Sequence, residues 1–167
     1  MSSLIHAYTE RFLSYVSEFV KDANGQSGRM ELKRYHSLKV LEEMGSLADS
    51  IGLDDERKET ALILALFHDI GRFKQLADYG TFSDERSRNH SLLGVEEIER
   101  THMLKNLDAE RRGLILKAIM NHNLIEIPSG GNDELVLFSR LIRDADKIDI
   151  YRVTLENYYT LGPDGEP

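Results

Sequence analysis

The sequence predicts an all-α protein, a compact bundle of helices. Apolar residues recur at helical spacing along most of the 167 residues. No alternating apolar-polar run is long enough for a strand, and Asp, Asn and Gly stand where helices should begin and end. No linker-like stretch, repeat or low-complexity tract divides the chain, so a single domain over residues 1–167 is the expected organisation.

The first predicted helix runs from about Ser3 to Lys21, with Ile5, Tyr8, Phe12, Val16 and Phe19 on one side. The segment Asn24–Gly28 reads as a turn. A second helix, from about Arg29 to Ser50, has Leu32, Val40, Met44, Leu47 and Ile51 as its apolar face, with His36 in the middle. Gly52 ends it, and Asp54 or Asp55 caps a third helix containing ALILALF (Ala61–Phe67), apolar all round as at the centre of a domain. Gly71 reads as a helix stop and Phe73–Ser87 as a polar loop. Asn89 then caps a fourth helix beginning near His90, and Asp108 a fifth carrying Ile115, Ala118, Ile119 and His122 on one face. The turn Pro128–Asp133 leads to a last long helix through Phe138, Leu141, Ala145 and Ile148, and residues 161–167 read as a short tail.

Composition narrows the function classes. Hydrophobic residues at 41% and charged residues at 30% are a soluble balance, and no apolar run reaches the roughly 18 residues of a membrane span. The opening MSSLIHAYTERF lacks the pattern of a signal peptide, so the expected compartment is the cytoplasm. The absence of cysteine excludes disulfides, thiolate zinc sites and a cysteine nucleophile; any metal must be held by imidazole and carboxylate. A formal net charge of -8 argues against a nucleic-acid surface but is compatible with a small phosphorylated substrate, which responds to the field of its own pocket.

Several residues break the pattern around them. Asp69 follows ALILALF directly, and a carboxylate beside an apolar core needs a cation, either a basic side chain or a metal. His36 and His122 interrupt apolar faces, and His90 lies at a helix start with Gly94, one turn on, permitting close approach of another element. In RDADKID (Arg143–Asp149), Asp146 and Asp149 share the side of Ile142, whereas Asp144 points nearly opposite. Asp146 is therefore the candidate ligand and Asp149 a support behind it. Each histidine alone is more simply a core residue. Together, His36, His68, Asp69, His90, His122 and Asp146 form a set suited to iron, manganese, zinc or cobalt, one ion or two, with magnesium also compatible. His6 and His102 read as surface residues.

This series resembles the HD-domain superfamily. His36 in YHSLKVLEEM, the pair His68-Asp69 in FHDIGRFK, and Asp146 in DADKID follow the H…HD…D order over about Tyr35–Tyr151, in a motif-bearing core of about 29–153. His90 in NHSLLGVEEIE and His122 in AIMNHN resemble the two further histidines of subgroups with a binuclear centre. The resemblance implies a buried metal site between helices: one ion on His36, His68, Asp69 and Asp146, and a second on Asp69, His90 and His122. It further implies a phosphohydrolase in which metal-activated hydroxide attacks a phosphoester or phosphoanhydride, with a nucleotide or dinucleotide as substrate. Arg72 and Lys74 are the first candidates for phosphate contact and, with Asp69, for catalysis; Lys147 and Arg88 follow. The GYP signature of the cyclic-di-GMP-cleaving subgroup is absent. A di-iron oxygenase, or a non-catalytic ligand-binding module, is compatible with the same fold, and a homo-oligomer is compatible with all three.

Overall fold

The computed structural model describes residues 2–21, 25–128 and 132–161, the last six of these as backbone only. Seven α-helices follow one another among the described residues: α1 (Ser3–Lys21), α2 (Ser27–Ser50), α3 (Asp55–Phe67), α4 (Gly71–Tyr79), α5 (His90–Arg100), α6 (Ala109–His122) and α7 (Asp133–Leu161). A single 3-10 turn, Asp84–Arg86, precedes α5. No strand occurs among them, so the fold is all-α, and no described helix is long and apolar enough to cross a membrane.

Helix α3 is the centre of the bundle because every residue from Thr60 to Phe67 is buried. Phe12 and Tyr8 of α1 meet Phe67 edge-on, and α2, α6 and α7 close round with Val40 and Met44, Ile115 and Ile119, Phe138 and Ile142. Buried apolar side chains of this size stabilise by roughly 1.5–3 kcal/mol each, so this layer dominates folding. The predicted caps form: Asp54 accepts from Arg57 N, Asn89 from Leu92 N, and Asp108 from Arg111 N. Each satisfies an otherwise orphaned amide and fixes where its helix starts.

Several expectations fail. The stretch Phe73–Ser87 is not a polar loop throughout, since Gly71–Tyr79 is helical with Phe73, Gln75 and Leu76 buried. Gly71 begins that helix because the backbone of α5 lies against it: a Cβ there collides with His90 O and the Gly94 backbone. The glycine serves close approach, not helix termination, and Gly94 faces it as predicted from its place after His90. Leu32 and Ile51 are also exposed, by 58% and 50%, because α2 rolls its core face onto Met30, Ser37, Leu41 and Met44. The predicted turns at Asn24–Gly28 and Pro128–Asp133 and the tail fall partly outside the described residues.

Candidate metal centre

Six side chains from distant parts of the chain meet between α2, α5, α6, α7 and the junction of α3 with α4. His36 projects inward from α2 beside buried Ser37 and Val40, and His122 ends the inward face of α6 that contains Ile115, Ala118 and Ile119. His90 is the first residue of α5, its place set by the Asn89 cap. Asp146 and Asp149 lie on the α7 face that buries Ile142 and Ala145. His68 and Asp69 occupy a tightened turn whose bonds run from Ile70 N to Phe67 O (3.2 Å), Arg72 N to Asp69 O (2.9 Å) and Phe73 N to Ile70 O (3.3 Å). Adjacent side chains on such a turn point roughly 100–120° apart, so His68 and Asp69 approach one cluster from neighbouring directions.

The two oxygens of Asp69 face different partners. Oδ2 is 3.8 Å from His36 Nε2 and 3.9 Å from His68 Nε2. Oδ1 is 3.4 Å from His90 Nε2 and 3.8 Å from His122 Nε2, and those two nitrogens are 3.2 Å apart. Asp146 Oδ1 completes the first group, 3.0 Å from His36 Nε2 and 3.6 Å from His68 Nε2. Among the described residues the buried groups able to hold a metal ion are these: His36, His68 and Asp69, and Asp69, His90 and His122.

The outward side of each ring fixes which nitrogen is free. Nδ1 of His36 lies 2.7 Å from Asp149 Oδ2, that of His68 2.7 Å from Ala65 O, that of His90 2.8 Å from Asp84 Oδ2, and that of His122 2.6 Å from Ile119 O. Carbonyl and carboxylate oxygens accept only, so each neutral ring has its proton on Nδ1 and turns the Nε2 lone pair inward. The inward nitrogens of His36 and His68 are buried and make no well-aligned hydrogen bond, although Asp146 Oδ1 lies 3.0 Å and 3.6 Å from them. Orphaned buried nitrogens are costly, and metal-ligating histidines are held from behind in this way. With metal–nitrogen bonds near 2.0–2.1 Å, neighbouring donors stand roughly 3 Å apart, so the cluster fits a divalent cation in each half.

The HD domain family model matches residues 34–151. This chain belongs to the HD-domain family. Comparison with the curated proteins and with the solved structures gives no match. HD domains are commonly metal-dependent phosphohydrolases, and the histidine–aspartate cluster of this one fits a metal site.

Electrostatics favour the metal-binding forms of Asp69, Asp146 and His90 in this HD domain and oppose that form at His36. Burial pushes the Asp69 carboxyl up, but the Lys33 ammonium and the surrounding imidazoles outweigh it and hold it well below the usual range. Asp146 is likewise lowered: burial opposes ionisation, and the neighbouring His36 and His68 overcome it. Burial, with Arg72 and His122 adding to it against Asp69, pushes His90 down to about 4. His36 moves the other way, because the carboxylates of Asp146, Asp69 and Asp149 prevail over its burial and over Lys33.

Of the residues singled out from the sequence, the structure gathers His36, His68, Asp69, His90, His122 and Asp146 into the cluster, with Asp149 directly behind His36. Arg72 lies at its edge, Nε 3.6 Å from Asp69 Oδ1, but its Nη1 is already donated to Gln75 Oε1 (2.9 Å), Phe82 O and Asp84 Oδ1 (3.2 Å). Lys74 pairs with Asp78, Arg88 with Glu96, and Lys147 is exposed on α7; none is brought to the cluster. His6 and His102 are exposed. Two participants escaped sequence reasoning. Lys33 donates to Asp69 Oδ2 at 2.7 Å, and the signal available was its position one helical turn before His36. Asp84 holds His90 from behind, and nothing in the local pattern of a polar loop marks it.

Proposed function

We propose that this HD domain is a metal-dependent phosphohydrolase that cleaves a phosphoester or phosphoanhydride of a nucleotide or dinucleotide over two divalent transition-metal ions. The observation that carries this reading is the division of Asp69, whose Oδ2 faces His36 and His68 while Oδ1 faces His90 and His122. His36, His68, Asp69 and Asp146 are the residues to hold the first ion, and Asp69, His90 and His122 the second. Iron, manganese, zinc and cobalt all accept this imidazole–carboxylate set. When bound, such a pair supplies a water acidic enough to ionise near neutral pH and a Lewis acid for phosphoryl oxygens.

The protein's own residues account for the rest. The donors other than Asp146 are buried, which strengthens every charge interaction among them. Lys33, its side chain 22% exposed, places an ammonium beside the shared carboxylate, where negative charge accumulates on a transferring phosphoryl group. It takes precedence over Lys74, Arg88 and Lys147 as the substrate-binding cation, and Arg72 becomes a residue that positions its neighbours. The partner in this reading is a small phosphorylated molecule and the setting the cytoplasm.

The test is the metal content of protein purified without added metal, with His90→Ala alongside. The expected result is two ions per wild-type chain and one in the variant. Dinucleoside polyphosphates and nucleotides are then screened with and without oxygen. Phosphate release independent of oxygen supports the reading, activity only with oxygen redirects it to an oxygenase, and absence of metal in both proteins sinks it.

A further inference from the structure

Asp84 gathers more hydrogen bonds than any ligand of the cluster, although its side chain sits on one 3-10 turn and is 31% exposed. Its Oδ2 lies 2.8 Å from His90 Nδ1, and its Oδ1 accepts from His90 N at 3.2 Å. From α4, Gln75 Nε2 donates to Oδ1 at 2.8 Å and Arg72 Nη1 at 3.2 Å; from beyond α6, Asn123 Nδ2 reaches Oδ2 at 3.4 Å. The same two α4 residues also pin the loop on either side of Asp84. Arg72 donates to Phe82 O, and the buried Gln75 donates to Ser87 Oγ and Arg88 O, each at 2.9 Å.

The counterpart behind the first half of the cluster is built differently. Asp149 is fully buried in the middle of α7 and clamped by Arg152 Nη2 at 2.6 Å, so His36 is held by a helix. His90 is held by a loop. The first half also has four donors, His36, His68, Asp69 and Asp146, against three in the second.

We propose that the second metal position is assembled by the Phe82–Arg88 loop, with Asp84 as the positioning residue that aims His90 Nε2 at Asp69 and makes occupancy of that position conditional on the loop being seated. The proposal rests on the binuclear reading above. Ions load in order, the helix-held position first and the loop-held position second and more weakly. Loss of a partner behind a ligating histidine typically weakens metal binding about 10–100-fold.

Titration of the full chain with Mn2+, followed by calorimetry and by electron paramagnetic resonance, separates the two positions. Wild type should take up two ions in sequence, the second bringing the signature of a coupled pair. In Asp84→Ala the first affinity should persist, the second should fall about 10–100-fold, and the coupled signal should vanish at concentrations that saturate wild type. Asp149→Ala should weaken the first uptake instead. Asp84→Asn covers the case where Asp84→Ala does not fold: its amide cannot accept from His90 Nδ1 and from Gln75 and Arg72 as the carboxylate does, so the second affinity should still drop. Two ions bound with wild-type affinities in either folded Asp84 variant overturn the proposal and leave the binuclear reading standing. One ion or none in wild type removes the binuclear reading, and this inference with it.

Discussion

At the scale of single residues, the cluster is a set of proton decisions. His90 is pushed down to about 4, below its ordinary 6.5, so an unfolded chain binds a proton there that the folded chain refuses. Its contribution to stability is present above pH 6.5 and is lost as pH falls through about 4. His36 is raised, so its contribution is full below pH 6.5 and is lost as pH rises through its higher folded value. Asp69 and Asp146 are lowered, so theirs is present above the ordinary 3.8 and is lost as pH falls further. Thermal unfolding of the metal-stripped protein should therefore show a loss of stability between pH 6.5 and about 4 that His90→Ala removes. An identical step in the variant goes against the assignment.

At the scale of elements, the informative contact is between α4 and α5. Gly71→Ala has no space, because the added carbon meets His90 O and the Gly94 backbone, which cannot step aside as a flexible side chain can. Overpacking of that kind costs about 1–3 kcal/mol, and the α5 shift it forces displaces His90. Gly45→Ala, by contrast, meets only Leu62 Cδ2 at 3.7 Å in the middle of α2, where replacing glycine gains about 0.5–1 kcal/mol. Denaturant unfolding of the two variants should move in opposite directions, and only Gly71→Ala should weaken metal uptake. This contact also shows where the sequence stops being legible. The helices could be read, apart from α4, because apolar periods and, for α3, α5 and α6, caps are local properties. The histidines and aspartates could be read because they interrupt those periods. Gly71 looks like a terminator until a second helix is placed against it, and Asp84 looks like any solvated loop acid until His90 arrives from α5. Arg72, Lys74, Arg88 and Lys147 earned attention from position alone, but whether a cation is free depends on which acids or carbonyls fold back onto it.

At the scale of the whole molecule, the cluster draws on α2, α5, α6, α7 and the α3–α4 junction, so the core that folds the bundle also closes the site. Of the six donors only Asp146 is appreciably open to solvent, 22% by side chain, and His68 is fully enclosed. That burial has a kinetic meaning. A chelator reaches the ions only from the side where Asp146 is open, the side a phosphorylated substrate also has to use, while enclosed nitrogens still hold them from behind. Ion loss should accordingly rise with chelator concentration only to a ceiling set by release from those nitrogens, while peptide-sized models with the same donors surrender metal faster with every increment. A stripping rate that stays proportional to chelator at every concentration would mean that the bundle opens to let the competitor in.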